Sequence, residues 1–269
     1  MKLEIFDVEH GACSLLTADN SSRMMFDCGH NASTGWKPGT HLRKQNVTKL
    51  EMFVATNYDE DHASGANDLF DNIDVKWLWR NKSVDSKIIS HLKSTSGVGP
   101  GIERLFKEAE ETFTGDGSSP RPDFQGLLTR KAFRHEYPTF EDENNLSFVI
   151  FLDCNGIGVL FTGDLEKAGW QEMLKQDDFR KILPRVNVLM APHHGRESGC
   201  CEDSMKLMSN LFYVVVSDKG YQYDTQKTLP FYRRFTNGGP FRGENRHVLT
   251  TRNDGKITFN FSANGWGPE

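Results

Sequence analysis

The feature of this sequence that most restricts its fold is a repeated order, a short apolar run followed by acidic or imidazole side chains. Apolar runs of this length, bounded by polar residues, indicate buried β-strands. Loops beyond strand ends collect the chemistry of α/β folds, so these side chains are candidates to meet at one edge of a sheet. Five runs end in this way, at Asp27 with His30, at Asn57, Asp59, Asp61 and His62, at Asp164, at His193 with His194, and at Asp218.

Helical patterns separate the predicted strands. GANDLFDNI and LEKAGWQEMLKQ show the apolar spacing of amphipathic helices. Asn155-Gly156 lies between two apolar runs and predicts a tight hairpin with a primed turn. The stretch HVLTTRNDGKITFNF predicts a closing hairpin around Asn253-Asp254-Gly255. Two β-rich halves with helices between them favour an α/β (α+β) fold, a four-layer αββα sandwich with helices outside and two sheets inside.

The composition limits the classes of protein to consider. The chain has 269 residues and no obvious linker, which predicts a single domain over 1–269. The net charge of −5 argues against the class of nucleic-acid-binding proteins that are basic over the whole chain. The sequence has no long apolar run and no signal peptide, so we expect a cytoplasmic protein without a membrane partner.

The five cysteines are odd in number and form no C-x-x-C pair. Reduced thiols are therefore the simplest interpretation. Cys200 and Cys201 follow a histidine pair, and a redox or metal role for them is the alternative.

Crowded carboxylates and imidazoles call for a compensating charge. Carboxylates that share a site repel one another unless positive charge lies between them, and a divalent cation supplies that charge. Mixed aspartate and histidine ligation suits first-row metals, and an excess of oxygen ligands shifts the preference toward Mn²⁺ or Mg²⁺. The cysteines are not spaced like zinc-finger ligands. An open catalytic metal site is the hypothesis that these residues favour, whereas structural histidines, and for Asp164 a helix N-cap, are the alternatives.

With these motifs in order, the sequence resembles the metallo-β-lactamase fold, and within it the hydrolase domain of the ComEC type found in DNA-uptake proteins. The matching stretches are FDVEHGACSLL, MMFDCG, TNYDEDHASG, NNLSFVIFL, VLFTGDLE, APHHG, VVVSDKG and LTTRNDGKI. They resemble, among others, that family's I-D-x-G, H-P-D-A-D-H-x-G-G, L-L-T-G-D and P-H-H-G motifs. The matches cover most of the chain and leave about 80–140 as an irregular inserted segment.

The resemblance implies a site for one or two divalent ions, with Mn or Zn as the first candidates and Mg as a third. Asp61, His62 and one of His193 and His194 would hold one ion, and Asp164 would bridge to a second. The second ion would be lined by Asp59, Asn57 and Asn144 or Asn145. Asp27 would orient the site through hydrogen bonds.

The sequence departs from the family pattern at three places. Asn57 stands where the family has a histidine, Ala12 replaces an aspartate of the opening motif, and the late His-Pro is replaced near YQYDTQ. An asparagine amide is a poor zinc ligand, so a weak, oxygen-bound second ion or none is expected. His10, His30 and Asp218 are more often plain polar groups than ligands.

These residues favour a metal-dependent hydrolase, and the resemblance implies a phosphodiester substrate, with nucleic acid as one candidate. The ion would lower the pKa of water, Asp61 or Asp59 would orient that water, and His62 would complete the catalytic group. One alternative is hydrolysis of a small ester, lactone, thioester or cyclic nucleotide. Another is a degenerate member of the fold that binds or regulates a protein partner. The sequence does not reveal the oligomeric state.

Overall fold

Two β-sheets form the centre of the structure, a computed structural model that describes residues 1–115, 120–219, 227–262 and 265–269. The strands are β1 (Lys2–Ile5), β2 (Ser14–Thr17), β3 (Arg23–Phe26), β4 (Lys49–Leu50), β5 (Met52–Val54), β6 (Asp74–Val75), β7 (Leu78–Trp79), β8 (Leu127–Phe133), β9 (Val149–Cys154), β10 (Ile157–Phe161), β11 (Val186–Met190), β12 (Tyr213–Val216), β13 (Gly239–Phe241), β14 (Glu244–Arg246), β15 (Val248–Thr250), β16 (Ile257–Ser262) and β17 (Gly265–Pro268). The helices are α1 (Pro38–Lys44), α2 (Glu60–Ala63), α3 (Ala66–Asn72), α4 (Ser86–Leu92), α5 (Pro100–Lys107), α6 (Lys167–Met173), α7 (Asp177–Ile182), α8 (Glu202–Leu207), α9 (Leu229–Arg233) and α10 (Thr251–Asp254). A π-helical turn, Glu108–Thr112, extends α5.

The strand order places one set of parallel strands at one side of each sheet. The first sheet runs β17-β16-β1-β2-β3-β5-β7, and the second runs β15-β12-β11-β10-β9-β8. In the first sheet β3, β5 and β7 are parallel, and in the second β10, β11, β12 and β15 are parallel. Carboxyl ends of parallel strands share one edge of a sheet, so each sheet has an edge on which loop residues gather.

Side chains alternate between an inner core and two outer cores. On β3, Met24 and Phe26 belong to the core between the sheets, while Met25 packs with the helices of the first half. On β9, Ile150 faces the inner core and Phe151 packs against the helices of the second half. This period of two gives each sheet two buried faces, one against the other sheet and one against helices. The predicted four-layer αββα sandwich is confirmed.

The two predicted hairpins have different outcomes. The hairpin at Asn155-Gly156 is confirmed, since Cys154 pairs with Ile157 and both turn residues have positive φ, 51° and 92°. The closing hairpin was wrong. The chain forms the helical turn α10 there, with the Thr250 side chain accepting a hydrogen bond from the Asn253 N–H, and β15 and β16 belong to different sheets.

The segment 80–140, which the motifs leave uncovered, contains regular elements. It supplies α4, α5 and β8, and β8 pairs antiparallel with β9 to extend the second sheet. In the parts of the chain that the structure describes, none of the helices has the length and apolar character to cross a bilayer. All five cysteines are buried and free.

Candidate metal centre

The loops that follow β5 and β10 and the turn that follows β11 bring four side chains together, two aspartates and two histidines. Asp61 and His62 lie in the short helix α2, which begins soon after β5 ends at Val54. Backbone hydrogen bonds fix this helix to two neighbouring loops, because Ala12 N–H donates to the Asp61 carbonyl (3.3 Å) and Cys28 N–H donates to the His62 carbonyl (2.8 Å). The position of the two side chains is therefore set by the backbone.

Asp27 orients the His62 ring. It follows β3 with φ of 54°, a left-handed conformation that is uncommon for a residue other than glycine. Its carboxylate accepts hydrogen bonds from the Thr56 N–H (2.7 Å) and the Thr56 hydroxyl (2.5 Å). The same carboxylate lies 2.9 Å from His62 Nδ1. A carboxylate only accepts, so His62 donates from Nδ1 and directs Nε2 into the cluster.

Asp164 follows β10 through Gly163, whose φ is 52°. Its backbone N–H donates to the Ser147 hydroxyl at 3.0 Å, and its side chain is 3% exposed. Asp164 Oδ1 lies 3.0 Å from His62 Nε2. The carboxylate of the second half thus meets the imidazole of the first half.

The sequence left open which histidine of the pair faces the cluster, and the structure gives His194. Both residues lie in the left-handed region, with φ of 50° and 51°, in the turn that follows β11. The Nδ1 atom of His194 lies 3.0 Å from the Ser217 carbonyl, which can only accept, so the Nε2 atom of His194 faces the cluster. His193 turns away, because its Nδ1 lies 3.1 Å from both the Glu166 carboxylate and the Ser198 hydroxyl. The prediction of His193 as a ligand is corrected accordingly.

The four facing atoms fit a cation. One ligand atom from each of Asp61, His62, Asp164 and His194 lies within 4.8 Å of the other three. His62 Nε2 and His194 Nε2 are 3.2 Å apart. The Nδ1–H groups of the two rings point away from the cluster, to Asp27 and to the Ser217 carbonyl. His194 Nε2 is also 3.2 Å from Asp61 Oδ2 and 3.6 Å from Asp164 Oδ1. Two imidazole nitrogens and two carboxylate oxygens that converge in this way form a donor set of the kind that binds Zn²⁺ or Mn²⁺.

The four groups perturb one another strongly. Burial lowers the pKa of His62, but the charges of Asp164 and Asp27 outweigh it and hold that pKa well above its usual value. Burial likewise opposes the charge of Asp164 at His194, and the net pKa is raised. Burial would raise the pKa of Asp61, yet the hydrogen bond and charge of His194 lower it to about 2. These carboxylates stay ionised at neutral pH and attract positive charge, either protons or a metal ion.

Asp59 differs from its prediction as a metal ligand. It precedes α2 and lies outside the group of four, since its carboxylate forms an ion pair with Lys93 Nζ. Burial and then the charge of Asp164 raise the pKa of Asp59, so it is close enough to the cluster to feel its field. The Lys93 ammonium group therefore lies against the Asp59 carboxylate, where a metal ion bound to Asp59 would have to lie.

The three asparagines predicted near a second ion make hydrogen bonds instead. Asn57 Nδ2 donates to Asn144 Oδ1 at 3.4 Å, and Asn57 Oδ1 accepts from the Tyr58 N–H at 2.5 Å. Asn145 Oδ1 accepts from the N–H groups of Glu166 (3.2 Å) and Gly169 (2.9 Å). Asn145 thus fixes the start of α6 and has no role as a ligand here.

Asp218 and the late loop complete the predicted set. Asp218 is buried beside the centre, its carboxylate 3.0 Å from Arg252 Nη1, and burial raises its pKa to about 6. The YQYDTQ stretch, 221–226, lies outside the described residues.

Two residues near the cluster had little or no signal in the sequence. The His10 ring centroid lies 4.5 Å from that of His194, and His10 Nε2 is 3.8 Å from Asp61 Oδ2. Burial and then the charge of His194 lower the pKa of His10 to about 4, so it is neutral at pH 7. The position of His10 in the opening motif FDVEHGACSLL was the sequence feature that could have indicated this role. Lys93 had none, because it lies in the segment that the motifs leave uncovered.

A family model described as the metallo-β-lactamase superfamily matches residues 7–197. ComE operon protein 3 of Bacillus subtilis (strain 168) is 22% identical over 282 aligned residues, 97% of this chain and 33% of that protein. Recombination protein 2 of Haemophilus influenzae is 24% identical over 75% of this chain and 22% of that protein. The chain therefore spans about a third or less of the length of these two relatives.

Solved structures with a similar fold include the metallo-β-lactamase fold protein YhfI from Bacillus subtilis, with a TM-score of 0.49 and 10% identity over 99% of both chains. The Zn²⁺-bound PqqB from Methylobacterium extorquens has a TM-score of 0.49 and 11% identity, over 97% of this chain and 100% of that one.

Proposed function

This chain belongs to the metallo-β-lactamase superfamily, and we propose that it is a metal-dependent hydrolase that cleaves phosphodiesters. The observation that carries the proposal is the convergence of Asp61, His62, Asp164 and His194, with both Nε2 atoms facing the two carboxylates. A divalent ion held there would supply Lewis-acid activation of water and of the scissile ester. The donor set makes Mn²⁺ and Zn²⁺ the first ions to test and Mg²⁺ the next.

The four residues differ in exposure, which suggests how they divide the work. The side chains of His62, Asp164 and His194 are 2–3% exposed, while that of Asp61 is 28% exposed. Three buried side chains are suited to holding an ion in place. Asp61 lies on the solvent side of the cluster. Its ionised carboxylate can accept a hydrogen bond from a water molecule and orient that water toward an ester.

The phosphodiester class rests on the resemblance to the ComEC type and on the curated relatives, one of which is named a recombination protein. Nucleic acid is the first phosphodiester to test for that reason. Hydrolysis of a small ester, lactone, thioester or cyclic nucleotide by the same four residues is the other enzymatic proposal.

One observation favours a different class of function, a binding or regulatory protein without catalysis. Asn57 and Asn144 are hydrogen-bonded to each other, and Asp59 is ion-paired with Lys93. The residues that the resemblance assigns to a second ion are therefore engaged with one another and with a lysine. A chain of this kind would keep the scaffold and recruit a protein partner.

One experiment distinguishes these proposals. The protein is stripped with a chelator, reloaded separately with Mn²⁺, Zn²⁺ or Mg²⁺, and assayed on bis-p-nitrophenyl phosphate, on labelled DNA and on small carboxylic esters. The hydrolase proposal predicts metal-dependent turnover of the phosphodiesters that Asp61→Ala and His62→Ala abolish. Asp178→Asn, an exposed surface change on α7, serves as the matched control. Turnover of the carboxylic esters alone would favour the second proposal, and failure to retain any metal would leave only the binding function.

A further inference from the structure

Lys93 is a buried cation next to the four-residue cluster. It follows α4, and its side chain is 7% exposed. Its Nζ forms ion pairs with Asp59 and with Glu143, the latter at 2.9 Å. A lysine in this environment is rare, because a buried ammonium is stable only when carboxylates compensate its charge.

Lys93 stands where negative charge accumulates. Asp59 lies within the electrostatic reach of both Asp164 and Asp61, so a group of carboxylates extends beyond the four-residue cluster. Without a positive charge nearby, the carboxylate of Asp59 would be repelled by those of Asp61 and Asp164. Either a second metal ion or a protein cation can supply that charge, and here Lys93 lies on the carboxylates.

The neighbouring amides leave little room for ligation. The amide groups of Asn57 and Asn144 are joined at 3.4 Å, and Asn144 Nδ2 donates to Glu166 at 3.4 Å. These groups bridge the two loops through hydrogen bonds and carry no charge. In the described residues, Lys93 Nζ is the one cationic atom that the structure shows in ion-pair contact with Asp59.

We propose that Lys93 takes the place of the second cation, so that the centre holds a single metal ion at Asp61, His62, Asp164 and His194. This inference rests on the proposed metal site, but not on any substrate. Two of the three ammonium N–H groups are used by Asp59 and Glu143.

Counting metal ions tests the inference without an activity assay. Metal-free protein is titrated with Mn²⁺ and analysed by calorimetry and by elemental analysis after dialysis. We expect one ion per chain in the unmodified protein and in the charge-preserving Lys93→Arg. In Lys93→Met, which keeps the length and removes the charge, we expect two, because the freed oxygens of Asp59 and Glu143 can hold Mn²⁺. Lys87→Met, an exposed change on α4, should leave the count at one.

Two ions in the unmodified protein, or a single ion in a folded Lys93→Met, would overturn the inference. If Lys93→Met does not fold, electron paramagnetic resonance of the Mn²⁺-loaded unmodified protein decides. An isolated Mn²⁺ signal supports the inference and an exchange-coupled pair contradicts it. Failure of the proposed metal site would instead appear as no bound Mn²⁺ in any of the four proteins.

A separate feature is a cleft of about 410 Å³ beside β7, the edge strand of the first sheet. Its lining combines aromatic and cationic side chains, among them Trp77, Trp79, Phe113, Lys82, Arg121 and Arg130. Positively charged grooves with aromatic platforms are typical of single-stranded nucleic-acid sites, because bases stack on the rings while phosphates meet the cations.

Arg130 is a cation of the cleft that lies against two aromatic rings. Its guanidinium carbon lies 5.4 Å from the Trp79 ring centroid and 5.6 Å from that of Phe124. Burial and then the charge of Arg121 lower its pKa, so two like charges lie close together. Over 1–115, 120–219, 227–262 and 265–269, no carboxylate is ion-paired with either arginine. Arg130 is half-buried and Arg121 is exposed, so an anion bound beside them would offset the cost of burying the Arg130 charge.

Trp79, which lines the cleft, is hydrogen-bonded to the first residue of the loop that leads to the metal centre. Val54 pairs with Trp79, and the Ala55 N–H donates to the Trp79 carbonyl at 3.0 Å. Residue 55 begins the loop that carries Asp61, so the register of β5 and β7 connects the two places. We infer that this cleft binds a single-stranded segment of the phosphodiester substrate, an inference that rests on the proposed function.

Binding to metal-free protein tests the cleft apart from catalysis. Fluorescence anisotropy of a labelled oligothymidylate is measured at several salt concentrations. We expect the double variant Arg121→Ala/Arg130→Ala to bind at least about tenfold more weakly, and the slope of log affinity against log salt concentration to fall by about 1.4. Arg180→Ala, a surface change on α7, is the matched control.

Unchanged oligonucleotide affinity in the double variant, or equal competition by polyglutamate, would overturn the cleft inference. Turnover of bis-p-nitrophenyl phosphate by the same variant distinguishes this result from failure of the proposed hydrolase, because that small substrate does not need the cleft.

Discussion

At the scale of single residues, Asp27 shows how a group outside the ligand set controls it. It binds no ion in this arrangement, yet it accepts hydrogen bonds from Thr56 and orients His62. An asparagine at position 27 would present a neutral amide whose NH₂ group cannot accept from His62 Nδ1. The ring would lose both its fixed tautomer and its orientation.

We therefore expect Asp27→Asn to weaken metal binding by about 10- to 100-fold, the range usual for partners that orient metal-binding histidines. Competition between the protein and a chromophoric chelator measures the affinity. Asp178→Asn, at an exposed ion pair on α7, should leave it unchanged. An unaltered affinity in a folded Asp27→Asn would show that His62 does not need this partner.

The protonation of His62 and His194 makes metal uptake depend on pH. In the metal-free protein both pKa values are raised above the ordinary 6.5, so at pH 6.5 both rings carry a proton that an ion must displace. The affinity should rise as the pH increases through and above 6.5, by up to about tenfold per pH unit for each proton released. Calorimetry in buffers of different ionisation enthalpy counts those protons, and uptake without proton release would contradict the assignment.

Sequence reasoning at this scale succeeded where short motifs fix the neighbours and failed where contacts come from afar. Asp61, His62 and Asp164 lie in the segments that follow two strands, and the pattern alone made them candidates. The choice between His193 and His194 depends on two left-handed residues in one turn, which no residue pattern indicates. Lys93 meets Asp59 across 34 positions through a helix that the motifs do not cover.

At the scale of elements, α2 is the part whose position matters most. Helix α2 is too short to be stable by itself. Gly11 and Gly29 allow the neighbouring loops to approach it closely, since a Cβ at position 11 would lie 2.5 Å from the Asp61 carbonyl oxygen. A Cβ at position 29 would overlap the same oxygen. The two glycines of the opening motifs therefore fix the helix that carries two of the four candidate ligands.

Gly29→Ala should displace α2, lower stability by about 1–3 kcal/mol and weaken metal binding together with it. Gly267→Ala has no heavy atom within 4 Å of the added Cβ and is the matched control. Chemical denaturation gives the stability and metal titration the affinity. If Gly29→Ala lost stability and retained full metal affinity, the backbone contact would not be what positions Asp61.

Elements were predictable where local chemistry decides them. Asn155-Gly156 adopts positive φ easily and closed the hairpin as predicted. Asn253-Asp254-Gly255 resembles a similar turn, but the cap from Thr250 forms a helical turn and sends the chain to the other sheet. That outcome depends on pairing of β15 with β12 and of β16 with β1, which is tertiary information.

At the scale of the whole molecule, the centre lies between the two halves of the sandwich. Asp61 and His62 follow a strand of the first sheet, and Asp164 and His194 follow strands of the second. An ion bound to all four ligands would link the sheets and would stabilise only the folded state. Its removal should therefore cost stability by mass action.

With free metal at about 100 times its dissociation constant, removal should cost about 2.7 kcal/mol, which lowers the melting temperature by about 5 °C or more in a domain of this size. Thermal unfolding with and without a chelator measures the change. Asp164→Asn should show almost no response to the chelator. A melting temperature that does not respond to metal in the unmodified protein would contradict a shared site.

The separation of the ligands along the chain also fixes an order of events during synthesis. When the ribosome has made the first half, an ion would meet Asp61 and His62 alone, a pair too weak to retain it. Asp164 and His194 are made later, and the carbonyl that orients His194 belongs to Ser217. An ion held by all four side chains would therefore be loaded only after translation has passed residue 217.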